Sequence, residues 1–249
     1  MKIGKFSKIF CLFSLCGLCI ITQTACSKTD TPVSKSDYLL DTSCNISIYE
    51  MKVDGKTVSA SGLDEDEVTK VIDEAYDECR RLENLLSKTI ESSDVARINS
   101  AGGAEVEVSP DTADVISLGL KYSELSDGAF DITIGPVTDL WDFHSDDPKL
   151  PDDAALAEAL THVSYGLVSL DWSGDMADNG RVQLADGAAR IDLGGIAKGY
   201  IGDRAADCLE AAGVTSAIVN LGGNVIAVGG KPNADGFTIG VEKPFSDSS

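Results

Sequence analysis

The segment Arg190–Tyr200 constrains this chain more than any other. Arg190–Leu193 reads as a strand end, Gly194 and Gly195 turn the chain, and apolar residues then recur with helical spacing at Ile196, Ala197, Tyr200, Ile201, Ala205, Cys208 and Leu209. A helix that starts beside glycine presents unpaired backbone N–H groups that an oxyanion can approach closely. Lys198 adds a mobile cation and Asp192 an acceptor. An acid, a bare backbone and a base within seven residues suit a phosphate or nucleotide; the alternative is an ordinary strand–turn–helix with a surface lysine.

The pattern elsewhere predicts an α+β domain with a largely antiparallel sheet and flanking helices. Asp41–Glu50 alternates as a half-buried strand. Asp64-x-x-Glu67 is a capping-box-like start to a long helix whose apolar stripe runs through Val68, Val71, Ile72, Ala75, Cys79, Leu82, Leu85 and Leu86. Val106 and Val108 mark a short strand, and Ser109-Pro110 starts a helix that ends at Asp127-Gly128. A loop over Gly135–Leu150 and a helix over Asp152–Thr161 follow. Strands are expected at Leu167–Leu170, Val182–Leu184, Ala189–Leu193, Ala217–Leu221, Val225–Val228 and Phe237–Val241. Asn220-Leu-Gly-Gly-Asn224 reads as a structural turn between two of them.

The first 26 residues read as a targeting segment. Lys2, Lys5 and Lys8 precede an apolar run, Ile9 to Ile21, that is short for a membrane span, and Ala25-Cys26 has the form of a lipoprotein processing site. Acylation of Cys26 would place the protein at the extracytoplasmic face of the cell membrane. Gln23 leaves ordinary secretory cleavage as the alternative. Residues 27–37 read as a polar tether and 38–249 as one domain. Beyond the targeting segment only Cys44, Cys79 and Cys208 remain, which makes no disulfide framework and no zinc pattern. The formal net charge is −21, and removal of the three lysines of the targeting segment makes it more negative. That charge excludes ordinary nucleic-acid binding, which depends on Lys and Arg neutralising phosphates.

Four blocks in order resemble the ApbE family of flavin transferases. They are Thr42 with Asn45–Tyr49; Leu86-Ser87 with Asp94, Arg97 and Asn99; Asp127-Gly-Ala-Phe-Asp-Ile-Thr-Ile-Gly-Pro136 with Leu140-Trp141; and Ile191–Tyr200 with Asn220–Asn224. The resemblance implies a Mg2+-dependent FAD:protein FMN transferase that moves FMN from FAD to a threonine or serine of a target flavoprotein. It implies FAD contacts at Leu40, Thr89, Ala129, Phe130, Asp131, Asp192 and Lys198, and a backbone carbonyl for Mg2+ at Gly195. Leu40-Asp41-Thr42 stands where the family has Met-Gly-Thr, and Thr89 where it often has tyrosine. Members of the family continue into a histidine motif and an acidic, threonine-bearing Mg2+ segment, so a chain ending at Ser249 is expected to be short of both. Phe130 reads equally as core and Asp131 as a loop cap. Neither His144 nor His162 falls in a matching motif, and no general base is assigned. The alternatives are a surface lipoprotein that binds or hydrolyses FAD without transferring it, or an inactive fragment.

Overall fold

A computed structural model describes residues 31–141, 150–241 and 243. Cys26 and the targeting segment, together with Phe143 and His144, lie outside the described residues. The first sheet is built on β2 (Thr42–Val53), twelve residues long. Its Cys44, Ile46 and Ile48 point into the core and are fully buried, as period-two alternation requires. β7 (Val214–Leu221) pairs antiparallel along one edge of β2, and β8 (Asn224–Gly229) pairs with β7. β1 (Val33–Leu39) and β3 (Lys56–Ser59) share the other edge, also antiparallel. A second antiparallel sheet runs β4 (Val106–Val108), β6 (Gly180–Leu184), β5 (Val168–Asp171).

Helix α1 (Glu65–Leu86) begins where the Asp64 carboxylate accepts from the N–H groups of Asp66 and Glu67. Its stripe of Val68, Ile72, Ala75, Cys79, Leu82 and Leu86 is buried against the first sheet and α6 (Ala197–Ala211). Helix α2 (Asp94–Ser100) follows, and α3 (Pro110–Leu125) is capped by Ser109 and lies against the second sheet. The Arg81 guanidinium and the Tyr200 hydroxyl both bond Asp111 (2.8 and 2.9 Å), joining α1, α6 and α3.

Four sequence expectations are corrected. The polar tether gives way to β1 from Val33 onward: Val33–Asp37 is strand, not linker. Its alternate residues are exposed, so composition looks unstructured, but the strand docks on α1. Lys35 pairs with Asp73, Arg80 pairs with Asp37, and the Tyr76 hydroxyl donates to the Lys35 carbonyl. Ala189–Leu193 is not a strand. Only a single parallel bridge, Ile134 to Arg190, is formed there. The Asn99 side chain replaces a strand neighbour, its amide donating to the Ile191 carbonyl (2.9 Å) and its oxygen accepting the Ile191 N–H (2.7 Å). Phe237–Val241 has no strand partner among the described residues; Phe237 instead packs its ring on Tyr49, 5.4 Å between centroids. The segment expected as loop from Gly135 begins with a short helix, α4 (Gly135–Thr138), and a 3-10 turn over Asp139–Trp141. Helix α5 (Asp153–Leu160) matches the expected one closely.

Candidate functional site

One cleft lies where three elements end together. The last turn of α1 contributes Glu83 and Leu86 and runs on into Ser87, Lys88 and Thr89. The β1–β2 turn contributes Leu40 and Asp41. Asp192–Gly194 and the start of α6, with Ala197, Lys198 and Ile201, form the third wall. Leu40, Thr89, Asp192 and Lys198, drawn from three separate stretches of the sequence, therefore face one space.

The β1–β2 turn is built under backbone strain. Leu40 and Asp41 have φ of 57° and 55°, the left-handed values that a two-residue hairpin of this kind requires and that glycine or asparagine adopts most readily. The Glu83 carboxylate accepts the Leu40 N–H at 2.7 Å and holds the turn against the cleft.

Asp192 is the most constrained acid of the site. Its N–H donates to the Ile132 carbonyl (2.8 Å), which ties it to the segment before α4. One carboxylate oxygen accepts the Gly194 N–H (2.9 Å); the other accepts from the Thr138 hydroxyl (2.8 Å) and pairs with the Lys88 ammonium (3.0 Å). Burial pushes the Asp192 carboxyl up, but these three donors outweigh it and hold the pKa below the usual carboxylate value. Lys88 also bonds Asp139 (2.7 Å) and the Thr138 hydroxyl oxygen (2.9 Å). Burial pulls its pKa down, and the bonds to Asp139 and Asp192 more than reverse that.

The start of α6 retains donors. The N–H groups of Ile196 and Ala197 are taken by the Leu193 carbonyl and that of Gly194 by Asp192. Those of Gly195 and Lys198 donate to no described residue, and the Lys198 ammonium forms no ion pair with one. Two backbone donors and a cation, all unpartnered among the described residues, are what an oxyanion needs at a helix start.

The Gly-Ala-Phe-Asp residues do not reach this cleft. Ala129 is exposed in the turn after α3. Phe130 lies on the far side of Gly195: a Cβ on Gly195 would sit 2.9 Å from its ring, so glycine is what lets the two approach. With Tyr122, Leu125 and Ile196, Phe130 lines a second, shallow apolar concavity. Asp131, expected as a flavin contact, spends its carboxylate on the Thr133 N–H, the Thr133 hydroxyl and the Tyr165 N–H, at 2.8, 2.7 and 2.8 Å. These bonds organise the loop around it. Asn220–Asn224 is the β7–β8 turn, with Gly222 and Gly223 at positive φ. His162 pairs with Asp186 at 2.6 Å and takes no part in the cleft.

Sequence reasoning missed Lys88, Thr138 and Glu83. No motif marks Lys88 or Thr138, and only the fold carries them to Asp192. The described residues include no group of three or more His, Cys, Asp or Glu able to hold a metal. Gly195 offers one carbonyl and Asp192 is already engaged, so these residues do not by themselves make a Mg2+ site.

The family model of the ApbE family matches residues 40–249, all four sequence blocks and every wall of the cleft included. The chain belongs to the ApbE family. An FAD:protein FMN transferase of Treponema pallidum is 31% identical over 216 residues, 86% of this chain and 57% of the relative. One of Klebsiella pneumoniae is 36% identical over 170 residues, 68% of this chain and 50% of its own. The crystal structure of the ApbE protein of Thermotoga maritima superposes with a TM-score of 0.71 at 31% identity, covering 87% of this chain and 65% of that one. This ApbE chain thus spans between half and three-fifths of the length of these two curated relatives.

Proposed function

We propose that this chain binds FAD in the cleft between α1, the β1–β2 turn and α6 and serves in the transfer of FMN from FAD to a threonine or serine hydroxyl of a target flavoprotein, with release of AMP. The observation that carries the reading is the start of α6. The Lys198 ammonium and the Lys198 N–H have no partner among the described residues and stand at a cleft walled by Leu40, Leu86, Leu193 and Ile201. Apolar surface suits an aromatic ring system, and the donors suit a diphosphate. The names of the similar proteins support the same chemistry.

In the transfer a bond forms between the acceptor oxygen and the FMN phosphorus. The bond to the bridging oxygen breaks, AMP keeps that oxygen, and the hydroxyl proton is released. Lys198 offsets the charge that builds on the leaving AMP, and the fold holds the reacting groups in place. Mg2+ belongs to the reading through the family alone, and no step is derived through it. Cys26 acylation would hold the protein on the extracytoplasmic membrane surface, where membrane-bound flavoproteins would be its partners. No helix of the described residues is itself long and apolar enough to cross a membrane.

The test is to incubate the full chain with FAD, Mg2+ and a threonine-bearing acceptor protein. AMP release together with covalent, in-gel flavin fluorescence on the acceptor is the expected result. A second reading, an FAD-binding or FAD-hydrolysing surface lipoprotein, draws on the full engagement of the Asp192 carboxylate by protein donors. Intact bound FAD, or AMP and free FMN with an unlabelled acceptor, would favour it. Absence of any FAD binding would end both.

A further inference from the structure

Five charged side chains line the cleft: Asp41, Glu83 and Asp192 against Lys88 and Lys198. Acids are in excess, an unexpected balance for a site that receives an anionic diphosphate. Of the two lysines, Lys198 has no ion-pair partner among the described residues and is placed to meet the ligand. Lys88 is not, because an ammonium has three protons and Lys88 has three acceptors: Thr138 Oγ1 at 2.9 Å, Asp139 Oδ1 at 2.7 Å and Asp192 Oδ2 at 3.0 Å. Thr138 completes the arrangement by accepting from Lys88 while donating to the same Asp192 oxygen at 2.8 Å.

We propose that Lys88 is a positioning residue for nucleotide binding: it neutralises and fixes the Asp192 carboxylate so that the cleft accepts a diphosphate, without itself touching the ligand. The inference rests on the FAD-binding reading above. The side chains of Lys88 and Asp192 are 28% and 18% exposed, so water screens the pair only in part. With Lys88 gone, Asp192 would stand beside the phosphate-binding helix start as an unpaired like charge, repelling the ligand and losing its fixed orientation. A lysine that only stapled the loop after α1 to α4 would matter equally to any ligand of the cleft, charged or not. Charge neutralisation would matter to FAD and not to riboflavin, which has the same ring system and no phosphate.

The experiment is a fluorescence titration of the full chain with FAD and, separately, with riboflavin, for wild type, Lys88→Met and Lys88→Arg, with thermal melts to confirm folding. Lys88→Met is expected to weaken FAD by about tenfold or more and riboflavin by less than about threefold. Lys88→Arg, which keeps the charge, is expected to recover most of the FAD affinity. Salt is expected to narrow the gap between wild type and Lys88→Met for FAD, because screening weakens the repulsion. Equal losses for both ligands, or no loss for FAD, would overturn the role of Lys88 while leaving the site intact. If Lys88→Met fails to fold, Lys88→Arg and Lys88→Gln carry the same comparison. If wild type binds no FAD, the site reading itself falls and this inference with it.

Discussion

Leu40 and Asp41 show how much a single residue can cost the fold for the sake of a site. Both hold left-handed backbone in a two-residue hairpin where Asn-Gly is the sequence of lowest strain. The double change Leu40→Asn with Asp41→Gly is expected to stabilise the chain by about 1 kcal/mol, read as a higher midpoint in chemical denaturation. The same variant removes apolar bulk from the cleft wall, so it should bind FAD more weakly than wild type; tighter binding would show that Leu40 does not face the ligand. Lys198 is the complementary case, a side chain with no hydrogen-bond or ion-pair partner among the described residues. Lys198→Ala should leave the melting temperature within about a degree or two, since surface substitutions away from such features change stability by less than about 0.5 kcal/mol. FAD affinity should fall about tenfold, measured by titration.

At the scale of elements, the site depends on how closely the start of α4 approaches the segment Arg190–Asp192. Gly135 donates its N–H to the Arg190 carbonyl at 3.2 Å. A Cβ on Gly135 would stand 2.7 Å from both that carbonyl oxygen and the Arg190 Cβ. Backbone is in the way, so no rotamer change relieves the contact. Gly135→Ala is expected to destabilise the fold by about 2 kcal/mol or more and to pull Thr138 away from Asp192, seen as a lowered melting temperature together with weakened FAD binding. Asn99 acts on the other side of the same segment by bonding both backbone groups of Ile191. Asn99→Ala would leave those groups unpaired, at an expected cost of about 1–3 kcal/mol in denaturant unfolding.

Across the whole molecule, three described carboxylates bear on the acid limit: Asp186, held low by its bond to His162, and the more buried Asp94 and Asp192. Burial pushes Asp94 up, but the Ser109 N–H, the Thr112 hydroxyl and Arg97 outweigh it and its pKa lies below the ordinary value, as does that of Asp192. A folded pKa below the unfolded one stabilises the protein fully above the unfolded value, about 3.9, and that contribution disappears as pH falls through the folded value. Lys88 has the opposite sign: its raised pKa contributes below the unfolded value of about 10.4 and is lost as pH climbs through the folded one. Unfolding free energy measured from pH 7 to pH 2 should therefore drop below about pH 4. Asp94→Asn should flatten that limb; an unchanged slope would mean the linkage lies elsewhere.

The sequence by itself determined the elements whose signals are local. The Asp64 and Ser109 caps, the apolar stripe of α1 and the alternation of Cys44, Ile46 and Ile48 all appear in the structure where the pattern puts them, because capping and periodicity depend on near neighbours. The four family blocks marked Asp192 and Lys198 as well. Tertiary structure alone decided the rest. Val33–Asp37 is a strand because α1 offers Asp73, Tyr76 and Arg80 to hold it, not because its own residues demand one. Arg190–Leu193 is extended without a sheet because Asn99 takes the place of a strand. Lys88 meets Asp192 across 104 positions of chain only because α1 and the start of α6 end at the same cleft. A contact of that kind has no local energetic signature, so no window of sequence could announce it.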